Sequence, residues 1–253
     1  MRPATPPALL GLSGLILILA RLALPLEVPA LTAREIVRRA DRIRAPGGSF
    51  SFELSIITPQ GSEERPDARL AVSVKLPDRS LAKFLTPSRD RGKVLLMVGP
   101  HLWVYLPATG RPLRISPQQR LVGGVSHADV MRVNFEGDYL PTLRGVDRET
   151  GGGSYVLNLR GAMKGATYHR IRYWVERETF RPVKAEFLTV SGLLIKTARY
   201  TRYRQILGAA RPTEIEIADA VRGGAVTRLL YSKLRHETLS DEMFHPASLR
   251  LLR

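Results

Sequence analysis

The stretch RPVKAEFLTVSGLLIKTARYTRY, residues 181–203, decides the fold. Pro182 to Val190 is rich in residues that favour β-strands, and Leu193 to Tyr203 is rich in β-branched and aromatic residues. Ser191-Gly192 stands between the two runs and is a turn signal, because glycine tolerates the positive φ that tight hairpin turns require. The stretch is therefore predicted to form one antiparallel β-hairpin.

Similar patterns recur along most of the chain. Apolar and polar residues alternate over 49–56 and over 69–76, the period of two that a strand with one buried face shows. Val94 to Val98 is apolar throughout, which indicates a strand buried on both faces. Short strands that follow one another at intervals of about 8–12 residues, with turn signals between them, indicate a sandwich or a barrel. We predict about eleven strands in one large, curved, antiparallel sheet, with residues 31–253 as a single domain.

The composition bounds the class of protein. The chain has 253 residues, is 44% hydrophobic and contains no cysteine. Disulfides, thiolate metal sites, cysteine nucleophiles and a lipid-modified N-terminal cysteine are therefore excluded. The net charge of +16 attracts nucleic acid, anionic membranes and acidic partners. An arginine-rich composition typical of high-GC bacteria explains the same charge without any partner, and both interpretations stay open.

The N-terminus has the pattern of a secretory signal peptide. Arg2 precedes the apolar run Ala8 to Ala20, and Val28-Pro29-Ala30 supplies small residues for cleavage. The alternative is an uncleaved membrane anchor, but the run is shorter than the roughly 20 residues that span a bilayer. We therefore expect residues 1–30 to be a signal peptide that is cleaved near Ala30, and we expect the protein to be exported.

An amphipathic helix is predicted directly after this segment. Thr32 and Glu35 have the spacing of a capping box, and Pro46-Gly47-Gly48 ends the helical pattern. The helix carries an apolar stripe that must lie on an apolar surface, for which its own sheet is the expected partner. The residues of the stripe are Ile36, Val37, Ala40 and Ile43.

One internal stretch breaks the alternation. Val122 to Pro141 is predicted to be an irregular excursion with one or two helical turns beginning at Ser126, and it is a candidate lid. The tail Ser240 to Phe244 is expected to plug one end of the sheet. The apolar residues proposed for the lid are Val130, Met131, Val133 and Phe135.

Catalytic and metal-binding patterns are weak. The five histidines include no pair at i, i+4 or i, i+2 spacing, so a local metal motif is not predicted. Ser126, His127 and Asp129 adjoin, but the G-x-S-x-G elbow of many hydrolases is missing. Glu214 and Glu216 would share one solvated strand face, which leaves an exported glycoside hydrolase as a remote alternative. We expect a protein that is not an enzyme and that uses neither cofactor nor metal.

Binding is the function that remains. Export argues against nucleic acid, whereas a curved sheet with an apolar face and a helical cover can enclose an apolar ligand. The alternative is that the apolar face packs only against the covering helices. The candidate cavity-lining residues are Phe50, Phe52, Leu54, Ile56, Leu70, Val72, Val74, Leu102 and Val104.

Several motifs of the chain resemble one known family. They are LWVYLP-x-x-x-R-P-L-R-I at Leu102 to Ile115, Pro182 to Tyr203 with Gly208 and Pro212 after it, and the closing DEMF at 241–244. In the order of capped helix, hairpins and irregular lid, residues 31–253 resemble the LolA-like outer-membrane lipoprotein-sorting proteins. The lid sequence SHADVMRVNFEGDY departs from the acidic, aromatic stretch usual in that family.

The resemblance implies both a fold and a function. The fold would be mainly β, an incomplete antiparallel β-barrel whose hydrophobic cavity is covered by an N-terminal helix and a helical lid. The function would be that of a periplasmic carrier, which binds lipoprotein acyl chains or another lipid-like ligand and transfers it towards the outer membrane. An inner-membrane transporter or donor and an outer-membrane acceptor would be its partners. A periplasmic sensor or regulatory module on the same scaffold, acting through protein contacts, is the alternative.

Overall fold

The structure is a computed structural model that describes Met1 and residues 31–59, 65–131, 134–149, 152–162 and 166–252. Leu31–Arg253 forms one compact unit. The predicted signal peptide lies outside the described residues, apart from Met1. Within the described ranges, none of the helices is long and apolar enough to cross a membrane.

The described chain is mainly β. Its α-helices are α1 (Ala33–Arg44), α2 (His127–Met131) and α3 (Phe135–Asp138), and its 3-10 turns are Ser88–Asp90, Asp241–Phe244 and Pro246–Leu251. The strands are β1 (Ser49–Ile57), β2 (Ala68–Lys75), β3 (Arg79–Thr86), β4 (Val94–Val98), β5 (His101–Tyr105), β6 (Pro112–Ile115), β7 (Arg120–Val122), β8 (Val125–Ser126), β9 (Tyr139–Asp147), β10 (Ser154–Gly161), β11 (Arg170–Glu176), β12 (Pro182–Leu188), β13 (Leu194–Ile206), β14 (Ala209–Asp219) and β15 (Val226–His236).

Thirteen strands form one antiparallel sheet in the order β6-β5-β4-β3-β2-β1-β15-β14-β13-β12-β11-β10-β9. The chain starts in the middle of the sheet, steps outward to β6, crosses to β9 at the far edge, and steps back until β15 pairs with β1. We call residues 116–131 and 134–138, which connect the two edges, the crossing segment. In the described structure β6 and β9 do not pair with each other, so the barrel is open.

The predicted mainly-β, incomplete antiparallel barrel is confirmed, but the count of about eleven strands is wrong. Fifteen strands are present among the described residues. The missed ones are β7, β8 and β9. The predicted lid, Val122 to Pro141, includes the start of β9, because Pro141 and Gly145 interrupt the alternation of this strand. As an edge strand, β9 tolerates a proline that a central strand would not.

The hairpin at residues 181–203 is confirmed as β12 and β13. Gly192 has the expected positive φ, of 90°. The loop is longer than a two-residue turn, because Thr189 and Leu193 close it through a Thr189 N–H to Leu193 C=O bond of 2.9 Å. The Thr189 hydroxyl also accepts the Leu193 N–H at 3.0 Å.

Helix α1 packs on the concave face of the sheet, as its pattern predicts. The Thr32 hydroxyl accepts the Glu35 N–H at 3.1 Å, while the Glu35 carboxylate pairs with Arg38 and Arg39 of the next turn. Ile36, Val37 and Ala40 are fully buried in the main core, and Ile43 at the end of the stripe is half-buried. The helix therefore covers the sheet from within.

The C-terminal tail covers the opposite, convex face. Leu95 and Met97 of β4 face the main core, whereas Val94 and Leu96 face a second core that includes Phe244. The apolar run of β4 is thus buried on both faces, as predicted. The expectation that the tail plugs one end of the sheet is wrong. The tail packs instead on the convex face of β3 to β5 and buries the apolar side chains there.

Candidate functional site

The nine candidate cavity residues lie together in the packed core. Each is at most 8% exposed, and all belong to one cluster with α1 and the crossing segment. The two cavities described below are lined by other residues. Contact of these nine side chains with a ligand therefore stays a prediction. It requires movement of the cover, by which we mean α1 and the crossing segment.

The crossing segment lies over the concave face. Val130 and Met131 of α2 and Phe135 of α3 are buried in the same core as the sheet, and Val133 lies outside the described residues. The buried Ser80 hydroxyl of β3 donates to the Met131 carbonyl at 2.7 Å. The apolar positions of the predicted lid therefore face inward, and the role of a lid stays a prediction.

A buried polar cluster, which we call the latch, ties α2 to the sheet and consists of Ser126, Asp129, Tyr168 and Lys196. The ammonium of Lys196 on β13 pairs with the Asp129 carboxylate, and both side chains are only 5% exposed. Asp129 also accepts the Ser126 N–H at 2.8 Å, the Ser126 hydroxyl at 3.0 Å and the Tyr168 hydroxyl at 3.0 Å. Burial raises the pKa of Tyr168 well above its ordinary value, so this hydroxyl stays protonated and donates.

A second fastening ties α3 to α1. The Asp41 carboxylate accepts the Glu136 N–H at 2.8 Å and pairs with Arg44 at 3.1 Å. The Arg44 guanidinium lies 4.0 Å from the centre of the Phe135 ring, a cation–π contact in a mostly buried setting. Burial raises the pKa of Asp41 to about 6, against the lowering effect of Arg44 and of the N–H groups that it accepts.

One cavity, which we call the outer cavity, lies at the end of the half-barrel where the β12–β13 and β14–β15 turns meet. Its volume is about 730 Å³. The apolar part of its wall is formed by Val125, Leu188, Val190, Ile195 and Val221. Arg120, His169, Lys196 and Arg222 supply its cationic or titratable groups, and Asp219 is its carboxylate.

A smaller inner cavity of about 70 Å³ lies deeper under the crossing segment. Arg44, Phe135, Phe187 and Tyr200 are among the residues that line it. Ser126 and Lys196 line the outer cavity, Asp129 lines the inner cavity, and Tyr168 lines both. The latch therefore forms part of the wall between the two spaces.

The turn of the β7–β8 hairpin fits against the sheet at the same end. The Gly124 N–H donates to the Thr227 hydroxyl at 3.1 Å. Gly123 has φ +52°, and a Cβ there would lie 2.3 Å from Thr227 Oγ1 and 2.6 Å from Thr58 Oγ1. Only glycine fits this contact, which sets the position of one wall of the outer cavity.

Comparisons with known proteins place this geometry in a family. Residues 77–251, more than half of the chain, match a family model described as "Uncharacterized protein". A crystal structure of a LolA superfamily protein from Nitrosomonas europaea is 39% identical, with a TM-score of 0.80 over 85% of this chain and 98% of that one. The chain belongs to the LolA superfamily. A search of curated proteins finds no match.

Two further crystal structures share the LolA-superfamily fold. One, from Vibrio parahaemolyticus, is of a domain named as an outer-membrane lipoprotein-sorting protein; it is 22% identical, with a TM-score of 0.72 over 86% of this chain and 98% of that one. The other is a DUF1329 family protein from Desulfovibrio piger, 24% identical, with a TM-score of 0.70 over 86% of this chain and 97% of that one. At these identities the likeness concerns the fold alone.

The residues considered for catalysis have other partners in this LolA-superfamily chain. Ser126 bonds to Asp129 and Tyr168, whereas the His127 ring nitrogen Nδ1 lies 2.8 Å from the Gln119 carbonyl. Glu214 is buried and pairs with Arg202 at 2.5 Å, so the expectation of a solvated face is wrong at that position. Among the described residues, no group of three or more His, Asp or Glu could hold a metal ion.

The sequence analysis missed most of the polar residues that hold the crossing segment to the sheet of this LolA-superfamily chain. Lys196 was overlooked, although a signal for it exists. Lys196, Ala198 and Tyr200 alternate along β13, so the lysine falls on the inward face of the strand. Its partner Asp129 is 67 residues away, and only the fold brings the two together.

Proposed function

We propose that the protein is a periplasmic carrier that binds the acyl chains of lipoproteins, or a similar lipid-like ligand, and passes them towards the outer membrane. The observation that supports this most directly is the outer cavity of about 730 Å³, a size in the range of small-ligand sites, roughly 300–1,000 Å³. Membership of the LolA superfamily supports it as well. An inner-membrane donor and an outer-membrane acceptor would be the partners.

The wall of the outer cavity suits an amphiphile. Leu188, Ile195 and Val125 offer an apolar surface on which an acyl chain gains about 0.8 kcal/mol per buried methylene. Arg120 and Arg222 on the exposed side are suited to an anionic or strongly polar head group. The chemistry of the cavity therefore matches a ligand with one apolar end and one polar end.

Movement of the crossing segment would enlarge the site. The latch and the Asp41–Glu136 contact are polar fastenings, and the apolar core lies beneath them. Opening them would join the outer and inner cavities and uncover the predicted cavity residues, among them Phe52 and Val72. The carrier would then hold its cargo by burial and release it when the segment moves, without catalysis.

Binding of a fluorescent palmitate analogue to residues 31–253 tests the proposal. We expect Leu188→Ser/Ile195→Ser to weaken binding by about tenfold, since both changes remove apolar wall. Val183→Ser/Ile206→Ser is the matched control, because these half-buried residues lie on the same two strands at the opposite end. The control should bind like the unaltered chain.

Two outcomes would contradict the carrier. The first is equal loss in the cavity variant and in the control, which would mean that the outer cavity holds no ligand. The second is a folded chain that takes up neither palmitate nor lipopeptide. That result would favour the alternative, a sensor or regulatory module that acts through protein contacts.

A further inference from the structure

Two turns lie side by side at the mouth of the half-barrel, the end at which the outer cavity is found. They are the β12–β13 turn at residues 189–193 and the β14–β15 turn at residues 220–225. Lys196 of β13 is opposite Asp219 of β14, and the Ala220 N–H donates to the Ile195 carbonyl at 3.0 Å. The two turns therefore form one continuous surface beside the cavity.

Large apolar side chains project from both turns. Val190 is 60% exposed, Leu193 is 68% exposed and Val221 is 70% exposed. Leu194 and Val226, at the bases of the turns, are also exposed. Scattered single apolar residues on a surface carry no meaning, but neighbouring ones mark a surface that contacts another apolar phase.

The surroundings of these apolar tips are cationic. Arg120 and Arg222 are exposed and line the same cavity as Val190 and Val221. The nearby acid Asp219 accepts the Val221 N–H at 3.0 Å, so its carboxylate faces the backbone of the β14–β15 turn.

We propose that this rim, formed by Val190, Leu193 and Val221 with Arg120 and Arg222, docks on an anionic lipid bilayer. Apolar tips that enter the head-group region and arginines that meet anionic lipids are the two signals that together give stable peripheral binding. The choice of a bilayer over an acidic protein rests on the proposed function, since an acyl-chain ligand resides in a membrane. Docking would bring the outer cavity against the lipid surface.

Co-sedimentation with vesicles tests the rim. Residues 31–253 form one compact unit and exclude the apolar run at 8–20, which would bind lipid by itself. We expect the chain to partition onto vesicles of phosphatidylcholine with phosphatidylglycerol, to bind weakly to phosphatidylcholine alone, and to dissociate as salt rises. Arg120→Ser/Arg222→Ser should weaken the anionic partitioning by about fivefold for each arginine.

The tips have a matched control. Val190→Ser/Leu193→Ser/Val221→Ser should weaken partitioning by about tenfold. Leu143→Ser/Val146→Ser/Leu251→Ser also removes three exposed apolar side chains, from outside the rim, and should leave partitioning unchanged. Equal effects of the two triple variants would overturn the proposal. So would a chain that stays in the supernatant with anionic vesicles at low salt.

The cavity variant separates this inference from the carrier function. Leu188→Ser/Ile195→Ser keeps the rim and should still dock on vesicles, even though it binds palmitate weakly. A chain that docks through the rim but takes up no palmitate would support the rim and contradict the carrier. A chain that binds palmitate but does not dock would overturn the rim alone.

Discussion

Lys196 on β13 and Asp129 on α2 form a buried ion pair that joins the sheet to its cover, and both side chains are only 5% exposed. A pair of this kind costs desolvation free energy, so its net contribution to stability is small, whereas removal of one partner leaves an uncompensated charge in the interior. In this fold the pair also stands between the outer and inner cavities. Substitutions at this pair therefore test how strongly the crossing segment is held to the sheet.

The Lys196→Met variant should be strongly destabilised. Removal of the ammonium leaves the Asp129 carboxylate buried with only neutral donors, Ser126 and Tyr168, and a loss of about 3 kcal/mol in the free energy of unfolding is expected. Urea unfolding measures it. The double variant Asp129→Asn/Lys196→Met should recover most of the loss. A double variant whose loss equals the sum of the single losses would show that the two side chains are not coupled.

Asp129→Asn should speed the uptake of the palmitate analogue. The change removes the charge that holds α2 to Lys196. If opening of the crossing segment limits uptake, a decrease of about 1.4 kcal/mol in its activation free energy makes uptake roughly tenfold faster. Stopped-flow fluorescence measures the uptake. Glu53→Gln is the control, because Glu53 pairs with Arg69 and Lys233 away from the cover. A similar acceleration in the control would exclude the latch as the barrier.

Asp41 should give the protein a specific dependence of stability on pH. Burial raises its pKa from 3.8 to about 6, so the folded chain holds this proton more tightly than the unfolded chain does. Stability from Asp41 is therefore fully present below about pH 4 and is lost as the pH rises through about 6.

The Asp41→Asn variant tests that dependence. Asparagine still offers an oxygen to the Glu136 N–H but does not titrate. Between about pH 4 and pH 7 the unaltered chain should lose about 2 kcal/mol more of its unfolding free energy than the variant does. Glu35→Gln, on the exposed side of the same helix, should retain the loss. Parallel pH profiles for the unaltered chain and Asp41→Asn would contradict the expected titration.

Gly123→Ala should destabilise more than Gly110→Ala does. Both glycines have positive φ, +52° and +64°, so the backbone penalty is shared. At Gly123 the new Cβ would also meet Thr227 and Thr58, whereas at Gly110 it meets no atom within 4 Å. Thermal unfolding should separate the two variants by about 1–3 kcal/mol, the usual cost of overpacking. Equal losses would mean that the β7–β8 turn shifts freely.

Phe244→Ala and Phe135→Ala should separate the two faces of the sheet. Both rings are buried, so each change should cost about 3–5 kcal/mol in unfolding free energy. Phe244 lies on the convex face under the tail, and its loss should leave palmitate affinity unchanged. Phe135 lies in the cover, and its loss should change the affinity. Altered affinity in Phe244→Ala would place ligand binding elsewhere than in the concave side.

Much of the fold could be predicted from local sequence patterns. The hairpin around Gly192 and the helix beginning after Thr32 follow from turn, cap and periodicity signals, which depend only on neighbouring residues. Strand β9 was missed because Pro141 breaks its alternation, and only its place at the sheet edge makes that residue acceptable. The Lys196–Asp129 pair could not be predicted because pairing across the fold depends on which strands become neighbours. The outer cavity was missed for the same reason, since three separate turns build its wall.

Native mass spectrometry tests the central claim most directly. Residues 31–253 would be recovered from a bacterial periplasm, measured intact, and extracted with organic solvent for lipid analysis. The carrier account predicts a bound acylated species that is lost from Leu188→Ser/Ile195→Ser and retained by Val183→Ser/Ile206→Ser. The bare mass of the chain, unchanged after incubation with lipids and lipopeptides, would contradict it.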